Sequence, residues 1–286
     1  MNTFKNKVLA GAIKVQNNVY MKAISNAMMG LMPIMMISSI ASLINAIDIG
    51  NTQQIMDQIG LKSLLTQINA MTIDVISVYV AFLVGYKLAE HLNADQLNAG
   101  IMSLVSFLIL SPIATFEETK VIEFSTLGSS GMFVAMFGGI LGARIYILCV
   151  EKNLTIKMPD SVPPIVNKSF AAIVPGVIVS IMGIIYVVIA ATPYGTLTDM
   201  IYTWVQAPLT LLGANVFACM IIVAFIEFLW FFGIHGVLAV YPVLMLVFYQ
   251  PMLDNLAAYS AGQPLPHLFP IGFILNNRGA RSFAVA

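Results

Sequence analysis

The chain has 286 residues, 59% of them hydrophobic and only 9% charged, and its formal net charge is zero. Soluble domains carry roughly 25% charged residues, so this composition excludes an ordinary soluble enzyme and asks for lipid to absorb the apolar surface. The zero balance gives no argument for a nucleic-acid binder or a basic membrane-surface protein.

Residues 3–22 interleave Phe4, Val8, Leu9, Ile13 and Val15 with Lys5, Lys7, Lys14 and Lys22. That predicts a basic amphipathic segment on the cytoplasmic membrane face, with no signal-peptide pattern ahead of it. The first span is expected over 27–47, long enough for ~30 Å of hydrocarbon, with Pro33 kinking its first turns. A polar connection over 48–69 leads to a second span over 71–89, with Asp74 near its outer end. A third over 97–113 stops at Ser111-Pro112, and the acidic loop FEETKVIEF follows. The fourth span, 127–150, carries Gly138, Gly139 and Gly142, which permit close helix approach. Three prolines shape the loop 152–169 and forbid a continuous helix there. A fifth span covers 170–191, an interfacial helix 196–212 and a sixth span 216–232. The run 237–248 is a seventh crossing or a half-crossing, and the tail from Gln250 is expected as loop. The two cysteines, Cys149 and Cys219, lie in apolar runs without metal-like spacing. Neither a metal site nor a cofactor is expected.

Charge bias sets an orientation. With the N-terminus cytoplasmic and five crossings, Lys5, Lys7, Lys14, Lys22, Lys87, Arg144, Lys152, Lys157 and Lys168 fall inside, against Lys62 and Lys120 outside. The positive-inside rule expects that asymmetry. It places the proline loop, with Pro159, Asp160, Pro163 and Pro164, in the cytoplasm, where a soluble partner could meet it.

The stretch richest in chemistry is AFIEFLWFFGIHG, residues 224–236. Ionisable groups are costly at membrane depth and line polar paths or sites, and an interrupted helix there is a common transporter device. His235 is either a contact for a polar ligand or a structural imidazole bonded to a carbonyl. Glu227 is either a ligand or a carboxylate paired with another helix. Eight residues apart on one helix, the two are separated by ~12 Å of rise and ~80° of rotation, so they flank a ligand without touching. Trp230 either stacks on a sugar ring or faces lipid, and Gly236 closes the motif. Lys87 reaches a ligand on the cytoplasmic side, or snorkels to the headgroups.

KMPDSVPPIVNKSFAAIVPG (157–176) and FLWFFGIHG (228–236) resemble the hallmark loop and histidine motif of the lactose/cellobiose family of phosphotransferase-system enzyme IIC permeases. AISNAMMGLMPIMMISSIASLI and YVAFLVGYKLAEHLNADQLNAGI are similar to the family's first and second helices. The resemblance covers most of the chain to about Pro251. It implies an all-α polytopic membrane protein of six to seven spans plus N-terminal and mid-chain amphipathic helices. It implies a disaccharide substrate, a soluble enzyme IIB partner served by IIA, a homodimer in the bacterial inner membrane and no nucleic acid. On the family pattern His235 lies beside the hydroxyl that becomes phosphorylated, and the permease itself carries no phosphoryl group.

The same comparison divides the chain into dimerisation and scaffold helices (1–191), the start of a sugar-transport domain (192–252) and a divergent tail (253–286). The family's Gly-rich hairpin and its NEP-type glutamate hairpin are not found in that tail, which implies a C-terminally truncated copy. The competing readings are a non-transporting remnant and an ion-coupled transporter relaying protons through Glu227 and His235. An intramembrane enzyme ranks last, because no HExxH or Ser/His pair at motif spacing is present.

Overall fold

The computed structural model of the chain describes residues 17–122, 124–156, 158–159, 161–201, 203–204, 216–231 and 236–268. The chain divides into two compact units, one of residues 22–31 and 75–204, the other of 1–21, 32–74 and 205–286.

The first expected span begins as helix α1 (Val19–Gly30) and resumes as α2 (Met32–Asn45) after a break at Leu31. Pro33, the second residue of α2, explains the break, because a proline tolerates the first turn of a helix but not its interior. The division between the units falls at the same point.

The unit of 22–31 and 75–204 is built on α5 (Ile76–His91), α6 (Gln96–Leu110) and α8 (Met132–Glu151). Their facing positions repeat at three and four residues, which is the helical period. Val80, Val84 and Leu88 on α5, Ala99, Phe107 and Leu110 on α6, and Ala135, Ala143 and Ile147 on α8 are all buried. Small residues let these helices meet at backbone distance. A Cβ on Gly139 would stand 2.8 Å from Ser103 Oγ, and one on Gly142 would stand 2.6 Å from the Met102 carbonyl oxygen. Hydroxyls then tie the seam. Ser103 Oγ donates to the Gly139 carbonyl at 2.7 Å, and Ser106 Oγ donates to the Gly138 carbonyl at 2.7 Å. Each such bond in a membrane bundle contributes about 0.6 kcal/mol. The packing role expected for the glycines of the fourth span is therefore observed.

After α6 the chain forms a short antiparallel hairpin, β1 (Ala114–Phe116) with β2 (Thr119–Val121), in the segment expected as an acidic loop. Its two turn residues, Glu117 and Glu118, sit at φ 44° and 67°. Positive φ at both centres is the two-residue hairpin turn that matches strand twist. A one-turn helix, α7 (Phe124–Leu127), and a 3-10 turn at Ser129–Gly131 lead into α8. Beyond the proline loop, α9 (Pro164–Ala171), α10 (Ile173–Ser180) and α11 (Gly183–Ala190) follow in near-continuous order. Ile173, Val177, Ile181, Ile184 and Val188 are exposed, an outward apolar surface that lipid covers. Of the expected interfacial helix 196–212, the five-residue α12 (Leu197–Ile201) is described, with Thr203 and Trp204 beyond it; residues 202 and 205–212 lie outside the described residues.

The other unit contains α2, α3 (Thr52–Gln58), α4 (Leu61–Ala70), α13 (Val216–Phe231) and α14 (Gly236–Ser260). The polar connection over 48–69 contains the two short helices α3 and α4. Buried hydroxyls and one amide join α2, α4 and α14. Ser38 Oγ donates to Asn69 Oδ1 at 2.7 Å, Asn69 Nδ2 donates to Ser42 Oγ at 3.2 Å, and Ser42 and Ser260 hydroxyls lie 2.7 Å apart. Helix α14 corrects the expectation of a run ending at Phe248 and a loop from Gln250. It continues through Pro242 and Pro251 to Ser260, 25 residues or ~37 Å. Prolines persist in such helices when neighbours satisfy the released carbonyls.

Candidate functional site

Helix α13, VFACMIIVAFIEFLWF, has no glycine or proline in its 16 residues. Cys219 and Ile226, seven residues apart on one face, are buried, while Met220, Ala224 and Glu227 share an exposed face at helical spacing. Glu227 therefore puts a carboxylate on an otherwise apolar stripe, the arrangement that membrane proteins keep for polar paths and sites. Trp230 lies one turn further along the same helix, with its side chain outside the described set. His235 falls outside the described residues, and Gly236 is the first residue of α14.

Lys87, near the C-terminal end of α5, is brought together with two neighbours. Its Nζ lies 2.6 Å from Glu90 Oε2 and 5.7 Å from the centroid of the Tyr86 ring. The hydrogen bond from Lys87 holds the Glu90 carboxyl below the usual glutamate range. The pair has the geometry of a lysine reaching past its apolar stem to a charge at the helix end.

The proline loop is shaped as its sequence dictates. Pro159 is exposed, and Pro163 is the N-cap of α9 at φ −52° and ψ 140°. Pro164 opens the helix, where its missing N–H costs nothing. Asp160 lies outside the described residues. Beside this loop, Lys168 Nζ lies 3.1 Å from Asp95 Oδ2, and Asn98 Nδ2 donates to the Lys168 carbonyl at 3.4 Å. Arg144 and Glu151 lie 3.8 Å apart on α8. At this end of the unit Asn26 Nδ2 also lies 3.0 Å from His91 Nε2, which seats the second half of α1 against the end of α5.

One polar cluster went unnoticed in the sequence. Asn255 Nδ2 donates to the His267 carbonyl at 2.7 Å, the His267 N–H donates to Asn255 Oδ1 at 2.9 Å, and His267 Nε2 lies 3.1 Å from Asp254 Oδ2. The clamp closes the segment after α14 back onto the helix. Its available signal was an Asp-Asn pair followed by a histidine across the turn residues Gly262, Pro264 and Pro266.

The family described as the phosphotransferase system EIIC matches residues 25–283, including most of the tail that the sequence reading set apart. The oligo-beta-mannoside-specific EIIC component of Bacillus subtilis (strain 168) is 35% identical over 270 residues, covering 91% of this chain and 61% of its own length. The cellobiose-specific EIIC component of Geobacillus stearothermophilus is 30% identical, covering 88% of this chain and 59% of its own. Among solved structures, the transporter ChbC is similar, the IIC component of the N,N'-diacetylchitobiose-specific phosphotransferase system. It superposes with a TM-score of 0.84 at 30% identity over 95% of this chain and 66% of its own. The chain thus spans about three fifths to two thirds of the length of these relatives. The match across residues 25–283 and the shared helical fold make this chain a member of the phosphotransferase-system EIIC family of integral membrane proteins.

Proposed function

We propose that the chain is the membrane permease component of a PEP-dependent phosphotransferase system for a disaccharide of the cellobiose, lactose or chitobiose type. Translocation is coupled to phosphorylation of the sugar by enzyme IIB, which IIA recharges. The observation that carries this reading is the fold likeness to ChbC over 95% of the chain. The cellobiose and oligo-beta-mannoside specificities of the two relatives support the substrate class.

In this reading His235 is the catalytic group. A neutral imidazole accepts the proton of the sugar hydroxyl as that hydroxyl attacks the phosphorus held on IIB and the bond from phosphorus to the IIB side chain breaks, leaving IIB unphosphorylated, a transfer in which positioning and charge stabilisation carry the rate. Glu227 accepts hydrogen bonds from the sugar, Trp230 stacks on the pyranose and Gly236 lets the backbone approach. Lys87, with its Glu90 partner, serves the cytoplasmic side. The loop with Pro159, Asp160, Pro163 and Pro164 is the IIB-facing surface, and the ion pairs beside it give that surface charge of both signs. The N-terminus is cytoplasmic, the protein is a homodimer in the inner membrane, and residues 1–191, 192–252 and 253–286 are scaffold, transport-domain start and tail.

The test is phosphorylation-linked uptake in proteoliposomes supplied with IIB and a phosphoryl donor. His235→Ala is expected to lower sugar-phosphate formation at least a hundredfold, the low end of general-base effects of about 10²–10⁴. Unchanged formation would remove His235 from the mechanism.

A further inference from the structure

A pocket of about 480 Å³ opens where α6 ends and α8 begins. This end of the unit is opposite to the proline loop. Small-molecule sites run roughly 300–1,000 Å³. Pro112, Ile113 and Ala114 form an apolar wall as the chain leaves α6 for the hairpin. Facing it are Thr196, Thr198 and Asp199 at α12 and Tyr186 from α11. Hydroxyls of the segment before α8, Ser125 and Ser130 among them, complete the rim.

Part of this polar surface is already used and part is not. Thr196 Oγ1 donates to Asp199 Oδ2 at 2.6 Å, and the Asp199 N–H donates to Thr196 Oγ1 at 3.0 Å. That exchange fixes the turn and engages one carboxylate oxygen. Among the described residues, the hydroxyls of Tyr186 and Thr198 make no hydrogen bond, and neither oxygen is buried, so both stay accessible to a ligand.

The lining chooses the ligand class. Neither lysine, arginine nor histidine is among the lining residues, so an anion would lack a countercharge. One half-engaged carboxylate falls short of the six to eight oxygens that calcium takes. A neutral ligand that donates, accepts and offers an apolar face fits all three features. We infer that this pocket is a second carbohydrate site, separate from the His235 motif, which holds a neutral sugar between the Pro112–Ala114 wall and the Tyr186 and Thr198 hydroxyls. The choice of cellobiose as probe rests on the permease reading, and in the orientation proposed above the pocket opens on the outer side, where sugar arrives.

The full chain in nanodiscs, carrying Trp230→Phe, retains Trp204 as its single indole. Trp204 Nε1 donates to the Tyr194 hydroxyl at 2.6 Å, so its fluorescence reports the turn that leads into Thr196. Cellobiose is expected to change that signal saturably, whereas inorganic phosphate and calcium chloride leave it flat. Tyr186→Phe and Thr198→Val each weaken cellobiose about tenfold, a loss of one hydrogen-bonding group, and Thr198→Ser restores it. Tyr186→Phe removes a single oxygen, so folding does not confound its result.

Three results would overturn the site: no saturable response, a response to phosphate or calcium in place of cellobiose, or unchanged affinity in both variants. His235→Ala separates the two sites, because a Trp204 response that vanishes with His235 refutes a second site and leaves the permease reading standing. A saturable Trp204 response in the Trp230→Phe chain, together with no phosphorylation-linked uptake by the unsubstituted chain, retracts the permease reading and supports the pocket.

Discussion

The seam of α5, α6 and α8 and the helix α13 are both strongly apolar, yet they use that character in opposite ways. On α8, Gly138, Gly139 and Gly142 are buried, and the serine hydroxyls facing them donate to backbone carbonyls of the partner helix. On α13, Phe217, Met220 and Ile221 are 62–70% exposed, and a carboxylate stands on an exposed face. Small residues and hydroxyls thus mark where helix meets helix. Large aliphatic residues interrupted by one charge mark where helix meets lipid or ligand. Hydrophobicity alone does not separate the two, because lipid supplies as good an apolar partner as another helix does.

The sharpest way to break this contrast is a pair of leucine substitutions. Gly142→Leu drives a side chain into the Met102 carbonyl and the Ser106 Cβ, each 2.6 Å from where its Cβ would stand. Overpacking of that kind costs roughly 3 kcal/mol, expected as a lower thermal midpoint or loss of the monodisperse species in detergent. Ala224→Leu on the exposed face of α13 is expected to change stability by less than ~0.5 kcal/mol. Equal effects would erase the distinction. Asn69→Ala is next, since it strips Ser38 and Ser42 of their shared partner. A loss of about 1–2 kcal/mol is expected, measured by thermal denaturation. Ser103→Ala removes one bond of the seam and is expected to cost about 0.6 kcal/mol.

The smallest effect is a pH dependence. Glu90 is held below its ordinary value of 4.5 by the Lys87 hydrogen bond. A depressed carboxyl contributes stability that is complete above the unfolded value and is lost as pH falls through the folded one. Acidification below about pH 4.5 is therefore expected to lower the thermal midpoint slightly, and Glu90→Gln to remove that part of the slope. The pair is solvent-facing, so the change is small.

Which features were legible follows from how local their signals are. The glycines of the fourth span declared close packing because small residues are what lets helix backbones approach. The helices α3 and α4 escaped notice because polar residues such as Gln53, Gln54 and Lys62 break the apolar run by which spans are recognised. The hairpin escaped because its turn is Glu117-Glu118 in place of an Asn-Gly or Asp-Gly pair. Helix α14 was cut short because Pro251 reads as a stop in water, whereas packed membrane helices accommodate it. On the functional side, the motif around His235 rests on resemblance, and residues 232–235 lie outside the described residues. Nothing local to Tyr186, Thr198 and Pro112 announces a pocket, since three separate segments converge to form it.

In the proposed function, sugar crosses only as it is phosphorylated. The direct test is the fate of labelled cellobiose in proteoliposomes that contain the full chain. Sugar-phosphate is expected inside only when enzyme IIB and a phosphoryl donor are both present, with no response to an imposed proton gradient. Accumulation of free cellobiose driven by that gradient, without a phosphoryl donor, would contradict it and favour proton relay through Glu227 and His235.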